Sequence, residues 1–338
     1  MKMAIRVLSL TNMYPTKETP SLGTFVELEV ESLRRAGVDV DVMFINGIKS
    51  HLSYVWAFPR LWARLLTRRY DLIHAHYVFT GLVARAQFCY PIVLTHHGPE
   101  VFVTWQAPLS RLINRIVDRI IVRTPEMRDK MPWCGARIIP AGVDFDMFKP
   151  MPKDRLRKEL GLPSDKKLVL YAGEYWRPEK RYDIVQKALP ILKNKMPDAE
   201  LVLVTKQPLP VVPKYMNACD VIVLVSDAEG SPNVIKEAMA CNMPIVTVPA
   251  GDVPHIIGNT PGCYLCTQEP EDVAEKLSLA LAFGQRTNGR ERLRHLSLGL
   301  ADAARSIIAV YKDVVEGKRR RSLFRRKLPR KSPQGDVA

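Results

Sequence analysis

The 338-residue chain has no run of eighteen or more apolar residues, so nothing in it suits a membrane-spanning helix. Cysteine is sparse: six residues are scattered along the whole length, which excludes a disulfide scaffold and fits a reducing compartment. Cys263 and Cys266 form a lone CxxC without a second pair to complete a zinc site. They read as ordinary strand or buried cysteines, and no metal site is expected. No short-period repeat occurs. The opening MKMAIRVLSLTNMYP has a lysine and an apolar stretch but no small-residue cleavage site before Asn12 and Pro15. It reads as a first buried strand rather than a signal peptide.

What is present in excess is positive charge, and it is unevenly placed. The formal charge is +15, and residues 318–338 hold nine Lys/Arg against one Asp. This tail is expected to lack fixed structure. With Leu323 and Phe324 among its arginines, it is expected to adhere to an anionic lipid surface, each cation adding on the order of 1 kcal/mol. The plainer alternative is a solvated or nucleic-acid-sticky tail without a specific task. No specific nucleic-acid partner is expected, and the location expected is cytoplasmic, peripheral at the inner face of the cell membrane.

The length allows two domains. Short β-rich apolar runs (AIRVLSL, VDVDVMFI, DLIHAHY, YPIVLTHHG) alternate with amphipathic helical stretches at Thr24–Ala36, Tyr54–Arg69 and Thr80–Gln87. After the linker VDFDMFKPMPKD the alternation restarts with DKKLVLYAGE, a helix over Arg181–Lys195, AELVLVT and DVIVLVS. This is the pattern of α/β domains with parallel sheets covered on both faces. Four regions are expected: domains over 1–150 and 151–300, a terminal helix over 301–317 packing back on the first domain, and the tail.

The most informative stretch is EGSPNVIKE, residues 229–237. DVIVLVS reads as a central strand buried on both faces, which puts the turn at a strand's carboxyl end, where such sheets bind ligands. Ser231 is suited to cap the following helix and Pro232 to its first turn. Gly230, Asn233 and Val234 then offer free N–H groups at the positive end of a helix dipole, an anion site whose usual occupant is phosphate. Glu229 and Glu237 flank it, and two carboxylates beside a phosphate make sense against vicinal sugar hydroxyls. The plain reading is a capping acid and a surface helix glutamate. In YAGEYWRPEK, Arg177 and Lys180 are placed to neutralise a departing diphosphate or, alternatively, are solvated surface charges. His96 and His97 end the strand of LTHHGPE, and His74 and His76 end the preceding one; a structural role is the commoner one for such histidines. Gly23 and Thr24 begin a helix after the first strand and offer close backbone approach to a ligand. The helix SYVWAFPRLWARLLTRR reads either as a core-packed connector, the favoured expectation, or as a helix lying on a lipid surface.

Together these segments resemble the retaining glycosyltransferases of family 4, in order and across nearly the whole chain to about residue 316. Glu229 and Glu237 match the family's E-x7-E pattern. PAGVDFDMFKP resembles its P-N-G-V-D segment, with Ala141 in place of asparagine, and LTHHGPE resembles its T-x-H-G-x-D/E strand end. The resemblance implies the GT-B architecture, two Rossmann-like doubly wound domains facing across a cleft. It implies a nucleotide-sugar donor in the second domain and a saccharide or lipid-linked acceptor mostly in the first. By this resemblance Glu237 binds the donor ribose, Glu229 the transferred sugar, Gly230, Ser231, Pro232, Asn233 and Val234 the phosphates, and His97 the sugar near the reacting carbon. Lys180 and Arg177 serve the diphosphate, with no metal and no cofactor. The family's usual arginine after Gly173 is Glu174 here, and its usual acid after G-x-V-P is His255. The activity implied is retaining transfer of a hexose-type sugar in polysaccharide or glycolipid synthesis. A nucleotide-sugar epimerase of related fold and a non-catalytic nucleotide-sugar or polyanion binder are the alternatives.

Overall fold

The computed structural model describes residues 4–47, 49–102, 105–131 and 135–327. The first sheet comprises β1 (Arg6–Thr11), β2 (Asp39–Phe44), β3 (Leu72–His76), β4 (Ile92–Thr95), β5 (Arg119–Val122) and β6 (Arg137–Ile138). They lie in the order β2-β1-β3-β4-β5-β6, every pair parallel. The second sheet comprises β7 (Lys167–Ala172), β8 (Ala199–Val204), β9 (Val221–Leu224), β10 (Ile245–Thr247) and β11 (Cys263–Leu265). Its order is β11-β10-β9-β7-β8, also wholly parallel. β3 and β9 are buried at every position, as strands covered by helices on both faces must be. In each sheet the winding reverses beside the first strand, between β1 and β3 and between β7 and β9. Those reversals open the crevices where such sheets bind ligands.

The two halves are joined twice. After β6, Val143 forms a parallel bridge with Gly299: its N–H donates to the Leu298 carbonyl (2.9 Å), and the Leu300 N–H donates back to the Val143 carbonyl (3.0 Å). A Cβ on Gly142 would lie 2.6 Å from the Gly299 carbonyl oxygen, so this crossing needs glycine. The chain then returns to the first domain as the helix Leu300–Lys327, whose Ala304, Ile307, Val310 and Tyr311 pack against Val26, Val30 and Leu33.

One expectation is corrected. The helix continues through residues 318–327 of the tail expected to lack structure, because that stretch is rich in Lys and Arg and meets no proline before Pro329. Residues 328–338 lie outside the described residues. The helix Leu52–Thr67 packs on the core as the favoured expectation has it, through Ala57 and Leu61 with Tyr54 and Leu65 beside them, while its other face is open. Only Ala57 and Leu61 are fully buried, while Trp56 is 67% and Leu66 81% exposed.

Tyr311 reaches through the core to donate or accept a 2.7 Å hydrogen bond at His74 Nδ1, and both side chains are fully buried. Tyr311→Phe removes the hydroxyl and leaves a buried ring nitrogen without its partner. It is expected to lower the unfolding free energy by about 1–3 kcal/mol in urea denaturation.

Candidate functional site

The loop after β9 leads through Glu229 and Gly230 into the helix Asn233–Ala240. Pro232 rather than Ser231 holds the N-cap position, and no side chain caps the helix. Ser231 instead accepts a hydrogen bond from Lys236 Nζ at 3.0 Å. Among the described residues, the N–H groups of Gly230, Asn233 and Val234 donate to no protein group. The helix end thus presents open donors together with its dipole. At its far end Asn242 adopts a positive φ of 55° and the Met243 N–H returns to the Ala238 carbonyl, which closes the helix.

Gly230 is a point of close approach between the domains. A Cβ there would sit 3.3 Å from the His97 carbonyl oxygen and 3.8 Å from Gly98 Cα. On its other side Gly251, at φ 57°, would carry a Cβ only 2.0 Å from the Gly230 carbonyl oxygen. Three backbones meet here; Gly251 excludes a side chain by overlap, and Gly230 leaves only tight room for one.

The loop after β7 is tied alongside. Asp227 N–H donates to the Glu179 carbonyl (2.9 Å), and Arg181 bonds the Asp227 carboxylate (3.0 Å). This sets Lys180 against Glu229, Nζ to Oε1 at 2.5 Å, both side chains mostly buried. Arg177 stands apart from that pair. It is half-exposed and ion-paired with Glu174 (3.1 Å) and Glu179 (2.5 Å), although its charge is felt at Tyr77 of the first domain. Glu237 lies one helical turn inward, and its carboxylate makes no hydrogen bond among the described residues. Burial raises its pKa to about 7, against the opposing pull of Lys236.

On the facing wall, β4 ends at His96 and His97. His96 is fully buried and held by Asn114 Oδ1 at 2.8 Å. His97 faces the cleft: its ring stacks on Tyr77 (centroids 4.6 Å) and lies 5.0 Å from the Phe25 ring, and its N–H donates to Glu100 (2.8 Å). Burial, then the nearby Arg123 cation, holds its pKa well below the usual histidine value. Its Nε2 meets His76 Nδ1 at 3.2 Å, and His76 in turn lies against His74 with ring centroids 4.2 Å apart. A proton shared between His76 and His97 sets which nitrogen of His97 can donate into the cleft. Glu29, His74 and His76 lie close enough to share a metal ion, but Glu29 is bonded to Arg123 (2.8 Å) and both His74 nitrogens are engaged. Of the three, His76 is the one bonded to His97, and Glu29 Oε1 is buried without a hydrogen-bond partner. Gly23, at φ 67°, begins the helix Thr24–Arg35, and a Cβ there would overlap the Met13 carbonyl carbon at 2.2 Å. Its close approach is thus to the chain's own backbone, and through Phe25 the helix start is held beside His97.

Lys236 was not anticipated. It is fully buried on a helix face otherwise lined by Ile235, Ala238 and Met239, and its Nζ donates to the Ala141 carbonyl of the inter-domain segment (2.8 Å). Burial lowers its pKa to about 8. Its sequence neighbours, Ile235 and Glu237, give no sign of this. Tyr77 was also missed. It is a non-glycine residue at φ 72°, the sort of strained backbone that gathers at functional sites.

Comparison with known proteins agrees with this geometry. The family model described as Glycosyltransferase Family 4 matches residues 14–147, and that described as Glycosyl transferases group 1 matches residues 205–282. TuaC of Bacillus subtilis, described as a teichuronic acid biosynthesis glycosyltransferase, is 23% identical over 81% of this chain and 88% of its own length. A D-inositol 3-phosphate glycosyltransferase of Arthrobacter is 28% identical over 61% of this chain and 60% of its own, so this match spans under two thirds of that enzyme. Among solved structures, sucrose-phosphate synthase of Thermosynechococcus elongatus superposes with a TM-score of 0.76 at 20% identity, covering 92% of this chain and 100% of the other. HepE of Anabaena, solved with UDP, superposes at 0.68 and 18% identity, covering 91% and 100%. With the Family 4 model matching in its first half, the group 1 model in its second and glycosyltransferases as its relatives, the chain is a glycosyltransferase similar to those of family 4 and has the GT-B fold.

Proposed function

We propose that this glycosyltransferase takes a hexose-type sugar from a nucleoside diphosphate sugar and places it on a saccharide or lipid-linked acceptor, with retention and without a metal ion. The observation that carries the reading is the open helix end at Asn233, flanked by the Lys180–Glu229 pair and by Glu237, set against His97 across Gly230. The N–H donors and dipole suit the diphosphate. Glu237, without a protein partner, suits the ribose hydroxyls. HepE, a neighbour in fold, is solved with UDP-glucose, which favours this class of donor.

Within the chain both cations are already held by carboxylates, Lys180 by Glu229 and Arg177 by Glu174 and Glu179. A diphosphate competes for them. As Lys180 turns to the phosphates, Glu229 is released to accept from hydroxyls of the transferred sugar. In the reaction the acceptor hydroxyl oxygen bonds to the anomeric carbon, and the bond from that carbon to the diphosphate breaks with its electron pair. The hydroxyl proton passes to the departing phosphate oxygen. His97, neutral and stacked on Tyr77, adds a hydrogen bond without adding charge.

A location at an anionic membrane is supported by the outward face of the helix Leu52–Thr67, where Leu52, Val55, Trp56, Trp62 and Leu66 are exposed. Beyond its end Tyr70 packs on Tyr90, whose ring lies under Lys318 at the root of the basic extension. No helix among the described residues is long and apolar enough to cross a membrane. Adhesion through this face matches interfacial binding.

Three outcomes are expected. Glu237→Ala lowers kcat/KM for nucleotide release by roughly 100-fold or more, because two charge-assisted hydrogen bonds are lost. Release at the wild-type rate would sink the ribose assignment, and NMR of the product's anomeric proton reports retention or inversion. Second, the pKa of Glu237 is raised from 4.5 to about 7 in the fold. Its protonation therefore stabilises the protein fully below pH 4.5, and that contribution is lost as pH rises through 7. Without nucleotide, the Tm of the wild type should fall relative to Glu237→Gln across this window, while donor KM rises as pH drops below 7. Third, Trp56→Ser with Trp62→Ser, or truncation after Glu316, should weaken sedimentation with anionic vesicles and leave turnover of a soluble acceptor intact.

A further inference from the structure

At the carboxyl ends of β1 and β2, away from the donor turn, the first domain holds a pocket of about 530 Å³. Its volume falls within the roughly 300–1,000 Å³ of ordinary ligand sites. Its wall is a row of three rings, Tyr54 to Phe79 at 5.8 Å between centroids and Phe79 to Trp105 at 6.0 Å. Asn12, Met13 and His51 complete the lining that matters here. Asn12 donates to the Tyr54 hydroxyl at 2.9 Å, and its Oδ1 is buried with no hydrogen-bond partner. A buried acceptor left unmet beside a pocket calls for a donor that the chain does not supply. Phe79 follows two residues after Tyr77, whose ring stacks on His97. The helix that carries Phe79 thus links the pocket to Tyr77, on which His97 stacks.

The chemistry of the lining is selective. No lysine, arginine, aspartate or glutamate is among the described residues that line it. A phosphate monoester finds no fixed counter-charge there. A purely apolar chain would leave Asn12 unmet. A pyranose satisfies both demands, with its C–H face against the rings and a hydroxyl to the amide.

We infer that this aromatic pocket is the subsite for an uncharged pyranose ring of the acceptor, so that the acceptor's reacting end is a neutral saccharide rather than a sugar or inositol phosphate. The inference rests on the glycosyltransferase reading above and deepens it. Trp105 and Tyr54 select the ring by stacking, and Asn12 selects a hydroxyl. The inositol phosphate relatives are named for an anionic acceptor, and on this inference the present chain differs from them in acceptor.

The test is a titration of the full chain, with and without UDP, using methyl pyranosides of glucose, galactose, mannose and N-acetylglucosamine. Binding is followed by saturation-transfer NMR and tryptophan fluorescence, with myo-inositol 1-phosphate as competitor. At least one pyranoside is expected to bind, with saturation concentrated on the protons of one ring face. Trp105→Ala should weaken it on the order of tenfold. Asn12→Ala should weaken it too, with UDP affinity as the check that each variant is folded. The inositol phosphate should not displace it. Pyranosides that bind Trp105→Ala and Asn12→Ala as tightly as wild type, that bind nowhere, or that yield to the inositol phosphate would overturn the inference. Failure of the wild type to bind UDP would defeat the donor reading instead, and the titration without UDP still decides the pocket.

Discussion

The arrangement depends on one close approach. At Gly230 the turn after β9 is pressed between Gly251 of its own domain and the His97–Gly98 backbone of the other. A side chain would overlap the turn at Gly251, strain the backbone at Gly251 and Gly98, and press on the His97 carbonyl at Gly230, so the turn is held closely from both sides. That position sets the helix end, Glu229 and Lys180 on one wall against His97 on the other. Lys236 reinforces it from below by linking Ser231 of the turn to the Ala141 carbonyl of the inter-domain segment.

Charge near the turn is organised as exchangeable pairs. Lys180 with Glu229, and Arg177 with Glu174 and Glu179, keep cations beside a helix end that already favours anions. A diphosphate entering such a site gains partners by displacing carboxylates, which are then free for hydroxyl groups. On the opposite wall, burial first and the Arg123 cation second keep His97 neutral, and its contact with His76 orients it. The two walls differ accordingly: one carries ions in pairs, the other carries aromatic rings and uncharged imidazoles.

Much of this was legible in the sequence, for identifiable reasons. Strands such as β3 and β9 are unbroken apolar runs, and a double-wound sheet follows from their alternation with helices. EGSPNVIKE was readable because a glycine, a proline and two acids at a strand end have few joint explanations. Side-chain direction was harder. Lys236 gave no signal, because the helix face it occupies is decided by the Ala141 carbonyl, a contact about a hundred residues away in sequence. The helix carrying Trp56 and Trp62 fitted either a core connector or a lipid surface, because a mixed face has no unambiguous inward side. Ser231 looked like a cap, yet the buried lysine beside it took its hydroxyl. The strain at Tyr77 and the meeting of Gly98, Gly230 and Gly251 arise from tertiary packing, which no local window contains.

The central claim is that backbone contact at Gly230 positions the donor turn, and Gly251→Ala tests it most directly. Its Cβ would fall 2.0 Å from the Gly230 carbonyl oxygen, whereas Gly161, at a similar φ of 66°, has nothing within 4 Å. Gly161→Ala therefore carries the same backbone strain without the overlap and serves as the control. With UDP affinity measured by calorimetry, the account predicts a loss on the order of tenfold or more for Gly251→Ala and none for Gly161→Ala. Wild-type UDP affinity in a folded Gly251→Ala protein would contradict it.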